Sequence, residues 1–299
     1  MRYAVGVDIG GTNTRVSLIN DKYELLSRLQ FATDNRNPNV TLKKINEAIA
    51  SFDKEIIGIG LSCPGPLDLL NGIVLDANNL HGDWHHFSIV KELSSLTGLP
   101  SFLENDANLA TLAEATIGQG KDLRYVQFLT ISTGIGSGLV INNEIYQGSH
   151  GYAHEIANMI MWKDGPQNGR VIAGGIEAIS SGTAIVARAE KAGLKVAHAG
   201  EVNALAIAGN VEAQNIMADA KEYLANALAT ICAIVDPEII ILGGSVALKT
   251  PGFVEEVEKL TKEKVYDSLK KYVKVVKSNL SEDSGLIGAA CLVFNKVSK

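Results

Sequence analysis

Short apolar runs alternate with longer segments of helical spacing along the chain. Tyr3–Ile9 reads as a buried, β-branched strand ending in the Gly10-Gly11 turn, and Arg15–Asn20 as a second strand. Asp21-Lys22 turns the chain into a third, Tyr23–Phe31, so the opening is a β-meander and not strand–helix–strand. Helical spacing follows over Asn39–Phe52 (Val40, Ile45, Ile49), then a short buried strand at Ile56–Ser62. Ser88–Thr97 predicts a helix that stops at Gly98-Leu-Pro100, a strand runs through Leu103, and Asp106–Ile117 predicts an Ala- and Leu-faced helix.

The same order recurs about 120 residues later. Tyr125–Ser132 predicts a strand, Thr133–Gly138 a glycine-rich turn, Leu139–Asn142 a strand and Glu144–Gln147 another. The identity between the two meanders is slight, but the matching order implies an internal duplication. Ile176–Ala192 and Asn203–Val235 are predicted helices, and Glu238–Leu242 is a strand ending at Gly243-Gly244. Val273–Lys277 is a further strand, and Gly285–Val297 an apolar helix suited to docking on a sheet. The expected architecture is α/β, with two similar lobes and a cleft between them. The boundary falls near residue 107: 1–107 joined by the helix 285–299, and 108–284.

Length agrees, since 299 residues exceed what one core usually serves. With 27 basic against 33 acidic residues the net charge is −6, and no Lys/Arg block is present. Nucleic acid and membrane surfaces are therefore not expected partners. A phosphorylated metabolite remains compatible, because backbone amides and a metal hold phosphate without surface basicity. Cys63, Cys232 and Cys291 are odd in number, far apart and set in apolar stretches, with no CxxC pair. They read as buried reduced thiols. No charged leader precedes the first strand, and the apolar stretch Tyr223–Val235 is too short to span a bilayer. A soluble cytoplasmic protein is the expectation.

Asp8-Ile-Gly-Gly-Thr12 carries the first candidate chemistry. The strand delivers a carboxylate to the sheet end, and two glycines let backbone N–H groups approach a phosphate. Thr12 and Arg15 add donors, and Asp8 suits Mg²⁺ held through water. An ordinary Gly-Gly hairpin with a turn-stabilising Asp is the alternative. The motif is not a dinucleotide fingerprint, because a strand follows the glycines, and no Gly-Lys-Ser/Thr marks a Walker loop. Thr133–Gly138 is a second glycine turn in the equivalent place, and Gly243-Gly-Ser245 a third. Three such turns at strand ends favour nucleotide binding over flexible hairpins.

Leu103-Glu-Asn-Asp106-Ala-Asn108 sets polar residues between a strand and a helix. Asp106 reads as a general base with Asn105 orienting a hydroxyl, or else as a helix N-cap. Glu155 and Glu177 lie beside small residues, where carboxylates bind sugar hydroxyls; surface Glu is the alternative. His81, His85 and His86 flank Trp84 without Cys or Glu at ligand spacing and read as loop histidines around an anchoring Trp.

Taken in order, these motifs resemble the ROK sugar kinases, within the actin-like ATPase superfold. The resemblance runs over essentially the whole chain: Asp8-Ile-Gly-Gly-Thr12, Cys63-Pro-Gly-Pro66, Leu103–Asn108, Ser132–Gly138, His154-Glu-Ile156, Glu177 with Ser181-Gly-Thr-Ala184, and Asp236–Gly244. It implies transfer of the γ-phosphoryl of ATP–Mg²⁺ to a hexose hydroxyl, usually at C6, with domain closure excluding water. Asp106 would be the catalytic base. Asn105, Glu155, Asn158 and Glu177 would bind the sugar, together with Gly65 and Asn78 or Asn79 of the sugar-side loop. Asp8, Gly10, Gly11, Thr12, Asn13 and Arg15 would hold ATP and its metal, with Thr133, Gly134, Gly136, Gly243 and Gly244. The family is commonly homodimeric.

Two departures stand out. Many members carry a Cys-x-Cys-Gly-x-x-Gly-Cys zinc site just before the Glu matched by Glu177, whereas Trp162–Ile176 here has no cysteine. The family's zinc-ligating, sugar-contacting His is Asn158 in this chain. Ligand and cluster are lost together, so no zinc is expected, and Asn158 and His154 leave the identity of the sugar open. The family also contains sugar-sensing repressors, which carry a helix-turn-helix region ahead of the phosphate motif. That motif begins at residue 8 here, which favours a kinase over a regulator, and the presence of Asp8, Asp106 and all three glycine turns argues against an inactive sugar-binding homologue.

Overall fold

The computed structural model describes residues 1–77, 79–280 and 283–297. β1 (Tyr3–Ile9), β2 (Asn13–Asn20) and β3 (Leu25–Ala32) form the opening meander, followed by α1 (Pro38–Ala50) and β4 (Ile56–Cys63). Two short strands, β5 (Leu67–Asp68) and β6 (Ile73–Val74), and a 3₁₀ turn at Gly82–Trp84 lead into α2 (Ile89–Thr97). β7 (Ser101–Asn105) and α3 (Asp106–Ile117) complete this stretch. Then come β8 (Tyr125–Ile131), β9 (Ile135–Ile141), β10 (Glu144–Ile145), α4 (Ile176–Ser180), α5 (Gly182–Lys191), α6 (Ala199–Ile207) and α7 (Val211–Val235). β11 (Ile239–Gly243), α8 (Gly244–Lys249), α9 (Phe253–Glu263), β12 (Val275–Lys277) and α10 (Ser284–Val297) close the chain.

The chain divides into two compact units, Met1–Gly118 with Asn143–Ala153 and Leu280–Lys299, and Gln119–Asn142 with His154–Asn279. The first break falls at Gly118 and not near 107, because α3 packs along α10 and both lie on the first sheet. In the first unit the strand order is β3-β2-β1-β4-β7, the meander antiparallel and the last two strands parallel to β1. In the second, β9 pairs antiparallel with β8, and β11 and β12 follow in parallel. The duplicated pattern is thus present at the level of strand direction.

Alternation along β1 splits the first core. Val5, Val7 and Ile9 point with Ile59, Leu61 and Cys63 toward the side that holds Leu42, Ile45 and Leu93. Ala4 shares the opposite side with Ile19, Leu286, Ala290, Val293 and Phe294. Here α10 meets the sheet backbone to backbone. A Cβ at Gly60 would lie 2.9 Å from Ala289 Cα and closer still to its carbonyl, and one at Gly6 would press on the Leu286 carbonyl. In the second unit, α4 to α9 bury Leu129, Ile131, Ile176, Ile185, Leu228 and Leu242 in one cluster.

Several boundaries differ from the sequence reading. The helix expected over 176–192 breaks at Ser181, which is extended and accepts the Ala184 N–H as the cap of α5. The helix expected over 203–235 is α6 and α7, separated by Gly209 at φ 93 and by Asn210, which caps α7 through Ala213 N–H. Gly136 sits in β9 opposite Thr130, so the second glycine turn is tighter than Thr133–Gly138. α8 and α9 were not read from the sequence; α8 starts directly at Gly244. Among the described residues no helix is long and apolar enough to cross a membrane.

Gly60→Ala is expected to cost about 1–3 kcal/mol by overpacking and to lower the melting temperature by several degrees. Gly285→Ala, at a position with open space around it, should leave the melting temperature unchanged or slightly raised. Equal effects of the two substitutions in thermal denaturation would contradict the close docking of α10.

Candidate active site

The last residue pairs of β1 set up the first unit's polar cluster. Asp8 lies opposite Arg15 on β2 and Ser62 on β4. Arg15 Nη2 and Nε both donate to Asp8 Oδ2, at 2.6 and 3.1 Å. The turn that follows is closed by Gly10 N–H to Asn13 C=O at 2.9 Å, and Thr12 and Asn13 are exposed. Gly11 lies against Asn79: a Cβ there would come within 2.7 Å of the Asn79 carbonyl oxygen, so the approach needs glycine. Gly65 lies between β4 and β5. Asn78 lies outside the described residues.

β7 ends beside β4 with Asn105 opposite Cys63, and α3 begins at once. Asn105, not Asp106, is the N-cap: its Oδ1 accepts from Ala107 N–H at 2.8 Å and Asn108 N–H at 3.4 Å. The amide Nδ2 of Asn105 is therefore turned away from the helix backbone. Asp106 Oδ1 also accepts from Ala107 N–H, at 2.8 Å. Asp106 is open to solvent yet hemmed in by protein, and this desolvation, with the Asp8 charge, raises its carboxyl pKa. Burial raises the Cys63 thiol as well, reinforced by the charges of Asp8 and Asp106. The structure thus brings Asp8, Asp106 and Asn105 to the same end of the first sheet, on β1 and at the β7–α3 junction, with β4 between.

Glu104 received no role from the sequence, although it lies within the same motif. It is fully buried, and accepts from Asn105 N–H at 2.9 Å, Asn108 Nδ2 at 2.9 Å and Gln147 Nε2 at 2.6 Å. Burial raises its pKa, which these bonds partly oppose. A charged residue in register with Ser62 on a buried strand was the available signal.

In the second unit, Glu177 Oε2 accepts from Ile135 N–H at 2.6 Å and lies against Gly134, so it braces the turn that carries Thr133. Thr183 Oγ1 donates to Thr133 C=O at 2.6 Å, and Gly182 N–H to Ser132 C=O at 2.7 Å. Ser132 Oγ meets Ser245 Oγ at 3.2 Å, joining this turn to the one at Gly243 and Gly244. Beside both turns lies a cavity of about 580 Å³, lined among others by Thr133, Val186, Ala187, Ala199, Val246 and Lys249. Its size and largely apolar wall are those of a site for a small organic ligand. Of these residues the sequence offered only Thr133. Val186, Ala187, Ala199 and Val246 are small or aliphatic side chains on α5, α6 and α8 that read as ordinary core, and Lys249 reads as a solvated helix residue.

Glu155 and Asn158 are exposed on the segment that precedes the cysteine-free loop. Asn158 Oδ1 accepts from Ile172 N–H at 2.9 Å, tying that segment to the loop. Trp162 stacks on Tyr223 with centroids 4.9 Å apart and planes 9° apart, and the Arg188 guanidinium lies 5.6 Å from the Trp162 ring centroid. Arg188 is itself paired with Asp219. An aromatic–cation stack holds the loop to α5 and α7. His154 takes φ 66, and burial lowers its pKa.

The ROK family model matches residues 4–296. The chain belongs to the ROK family. It is 30% identical to the glucokinase of Thermotoga maritima, over 98% of both chains, and 30% identical to the N-acetylmannosamine kinase of Escherichia coli O9:H4, over 96% of this chain and 97% of that one. The crystal structure of the ROK hexokinase of Thermus thermophilus superposes with a TM-score of 0.90 at 30% identity, covering 99% of each chain. A ROK glucokinase from Streptomyces griseus, in complex with glucose and AMPPNP, matches at 0.75 and 26%, over 97% of this chain and 98% of that one. The fold is accordingly the two-lobed α/β fold of the actin-like ATPases that the ROK sugar kinases share.

Glu104 has a folded pKa above its unfolded one. Its contribution to stability is held below the ordinary Glu range and is lost as the pH rises through the raised value. In Glu104→Gln the charge is gone, and a flip of the Gln147 amide restores the third hydrogen bond. The difference in melting temperature, variant minus wild type, is expected to grow from pH 4 to pH 7. A difference that shrinks over that range would contradict the burial of an ionised carboxylate.

Proposed function

We propose that this ROK protein is an ATP-dependent sugar kinase that transfers the γ-phosphoryl of ATP to a hexose hydroxyl. The observation that supports it best is the proximity of Asp106, which follows β7, to Asp8 on β1, with β4 between the two strands: one carboxylate has a raised pKa, and the other is bound by Arg15 through a single oxygen. The first is suited to accept the proton of an attacking hydroxyl, the second to hold a hydrated cation.

In this reading Asp106 accepts the sugar hydroxyl proton as the oxygen bonds to phosphorus and the bond to the ADP oxygen breaks. Asn105, with its carbonyl committed to the α3 cap, presents its Nδ2 donor to a neighbouring hydroxyl. Glu155, Asn158 and Glu177, with Gly65 and Asn79, supply further sugar contacts. The residues fit Mg²⁺, since Asp8 offers a hard oxygen and local charge is net negative; bound there, the ion neutralises phosphate charge. Arg15 then adds a fixed positive charge and keeps Asp8 oriented. The second unit's cavity takes the adenosine, and the Thr133–Gly134 and Gly243–Gly244 turns take the phosphates.

A panel of glucose, mannose, fructose, N-acetylmannosamine and N-acetylglucosamine is expected to give ADP release with at least one sugar. Asp106→Asn should lower kcat by roughly 10²–10⁴-fold with little change in the KM for ATP. Because the base must be ionised, kcat/KM falls as the pH drops through the raised Asp106 pKa, so the acid limb lies above the usual Asp value of about 3.9. No turnover with any sugar would remove the kinase assignment.

Ala187→Phe, which fills the second unit's cavity, is expected to raise the KM for ATP at least about tenfold and leave the KM for sugar unchanged. An unchanged KM for ATP in steady-state assays would move the nucleotide elsewhere.

A further inference from the structure

Among the described residues, one further set of metal-ligating side chains converges outside the groups already described. Asp76, His85 and His86 bring three ligand atoms within 4.8 Å of one another on the surface of the first unit. The backbone explains why. Val74 and Phe87 exchange both hydrogen bonds as an antiparallel bridge, N–H to C=O at 2.9 and 3.0 Å, and His86 N–H donates to Leu75 C=O at 3.4 Å. Counting outward from the bridge puts Asp76 directly opposite His85, and the two side chains are paired, His85 Nδ1 to Asp76 Oδ1.

In a regular strand pair His86 would face the other way. It instead takes φ 53, in the left-handed region that few residues other than glycine adopt. That turn swings its ring to the same side as His85, with centroids 4.5 Å apart and planes at 66°. The segment is anchored from below by Trp84, fully buried, whose Nε1 donates to Asp34 C=O at 2.8 Å and whose ring packs edge-on against Phe87. Two imidazoles and a carboxylate are thus aimed at one point from a fixed loop.

We propose that Asp76, His85 and His86 form a binding site for a divalent transition-metal ion. Two imidazole nitrogens and one carboxylate oxygen suit Zn²⁺, Ni²⁺, Co²⁺ or Cu²⁺, and disfavour Mg²⁺ and Ca²⁺, which take oxygen donors. Ligand distances of about 2.0–2.2 Å require only small rotations of exposed side chains, and water completes the coordination. The bound ion clamps the two ends of the loop that carries Asn79. The site shares no residue with the cysteine-free loop 162–176, and none of its ligands is a sugar- or nucleotide-binding candidate, so ion binding is testable without sugar or ATP.

Calorimetric titration of the full-length protein with ZnCl₂, in a non-chelating buffer at pH 7.5, is expected to show one ion per chain. His85→Gln should weaken binding at least about tenfold, and so should His86→Asn, which keeps a residue that tolerates positive φ. Excess Mg²⁺ should not displace the ion. Absence of a saturable one-to-one phase, or an unchanged affinity in the His85→Gln/His86→Asn double variant, would overturn the assignment. Sugar phosphorylation by the double variant, measured alongside, reports on the kinase reading separately.

Discussion

The first unit depends on how closely α10 can lie on its sheet. Gly6 and Gly60 present bare backbone on the α10 side of β1 and β4, and Gly288 lets α10 reach the backbone of α3 at Leu109. The carboxylate cluster at the end of the sheet is built on the strands and helix that this packing joins. Asp8 lies near the end of β1, two residues beyond Gly6 and on the same face, and Asp106 begins the helix that α10 presses against. The distance between the two carboxylates is thereby set by main-chain contacts, which have far fewer alternative arrangements than side-chain packing.

A second consequence concerns pKa. A carboxylate at the start of a helix is normally stabilised by the N-terminal N–H groups. At Asp106 those donors are shared, because Asn105 Oδ1 takes the Ala107 and Asn108 N–H groups, and desolvation and Asp8 outweigh what remains. Buried Glu104 sits directly behind and fixes the Asn105 backbone. The strand-to-helix junction therefore combines one residue that orients, one that caps and one that titrates.

Strand-level organisation was legible in the sequence because it is carried by local signals. β-branched runs end at Gly10-Gly11, Gly134 and Gly243, and the repeat of the meander follows from those runs alone. The helix breaks at Ser181 and Gly209 were not read, since apolar spacing continues across both and only capping chemistry interrupts it. α9 was missed for a related reason: it is highly charged, and only Phe253, Val254, Val257 and Thr261 are buried. In the site, residues with distinctive chemistry stood out, whereas the apolar part of the cavity wall on α5, α6 and α8 is Ala and Val, and polar members such as Thr183, Glu190, His198 and Lys249 are scattered in the chain and carry no signal until the helices are placed. Asp76 and His85 are nine residues apart in the chain and become neighbours only through the Val74–Phe87 bridge.

Because α10 comes last in the chain, the order of synthesis matters for the first unit. β1 to β4 leave the ribosome more than two hundred residues before the helix that covers Ala4 and Ile19. The whole of the second unit, Gln119–Asn142 and His154–Asn279, emerges in the interval and can complete its own core. The N-terminal strands must then wait with one apolar face open, a window in which nascent chains are prone to association and to chaperone capture.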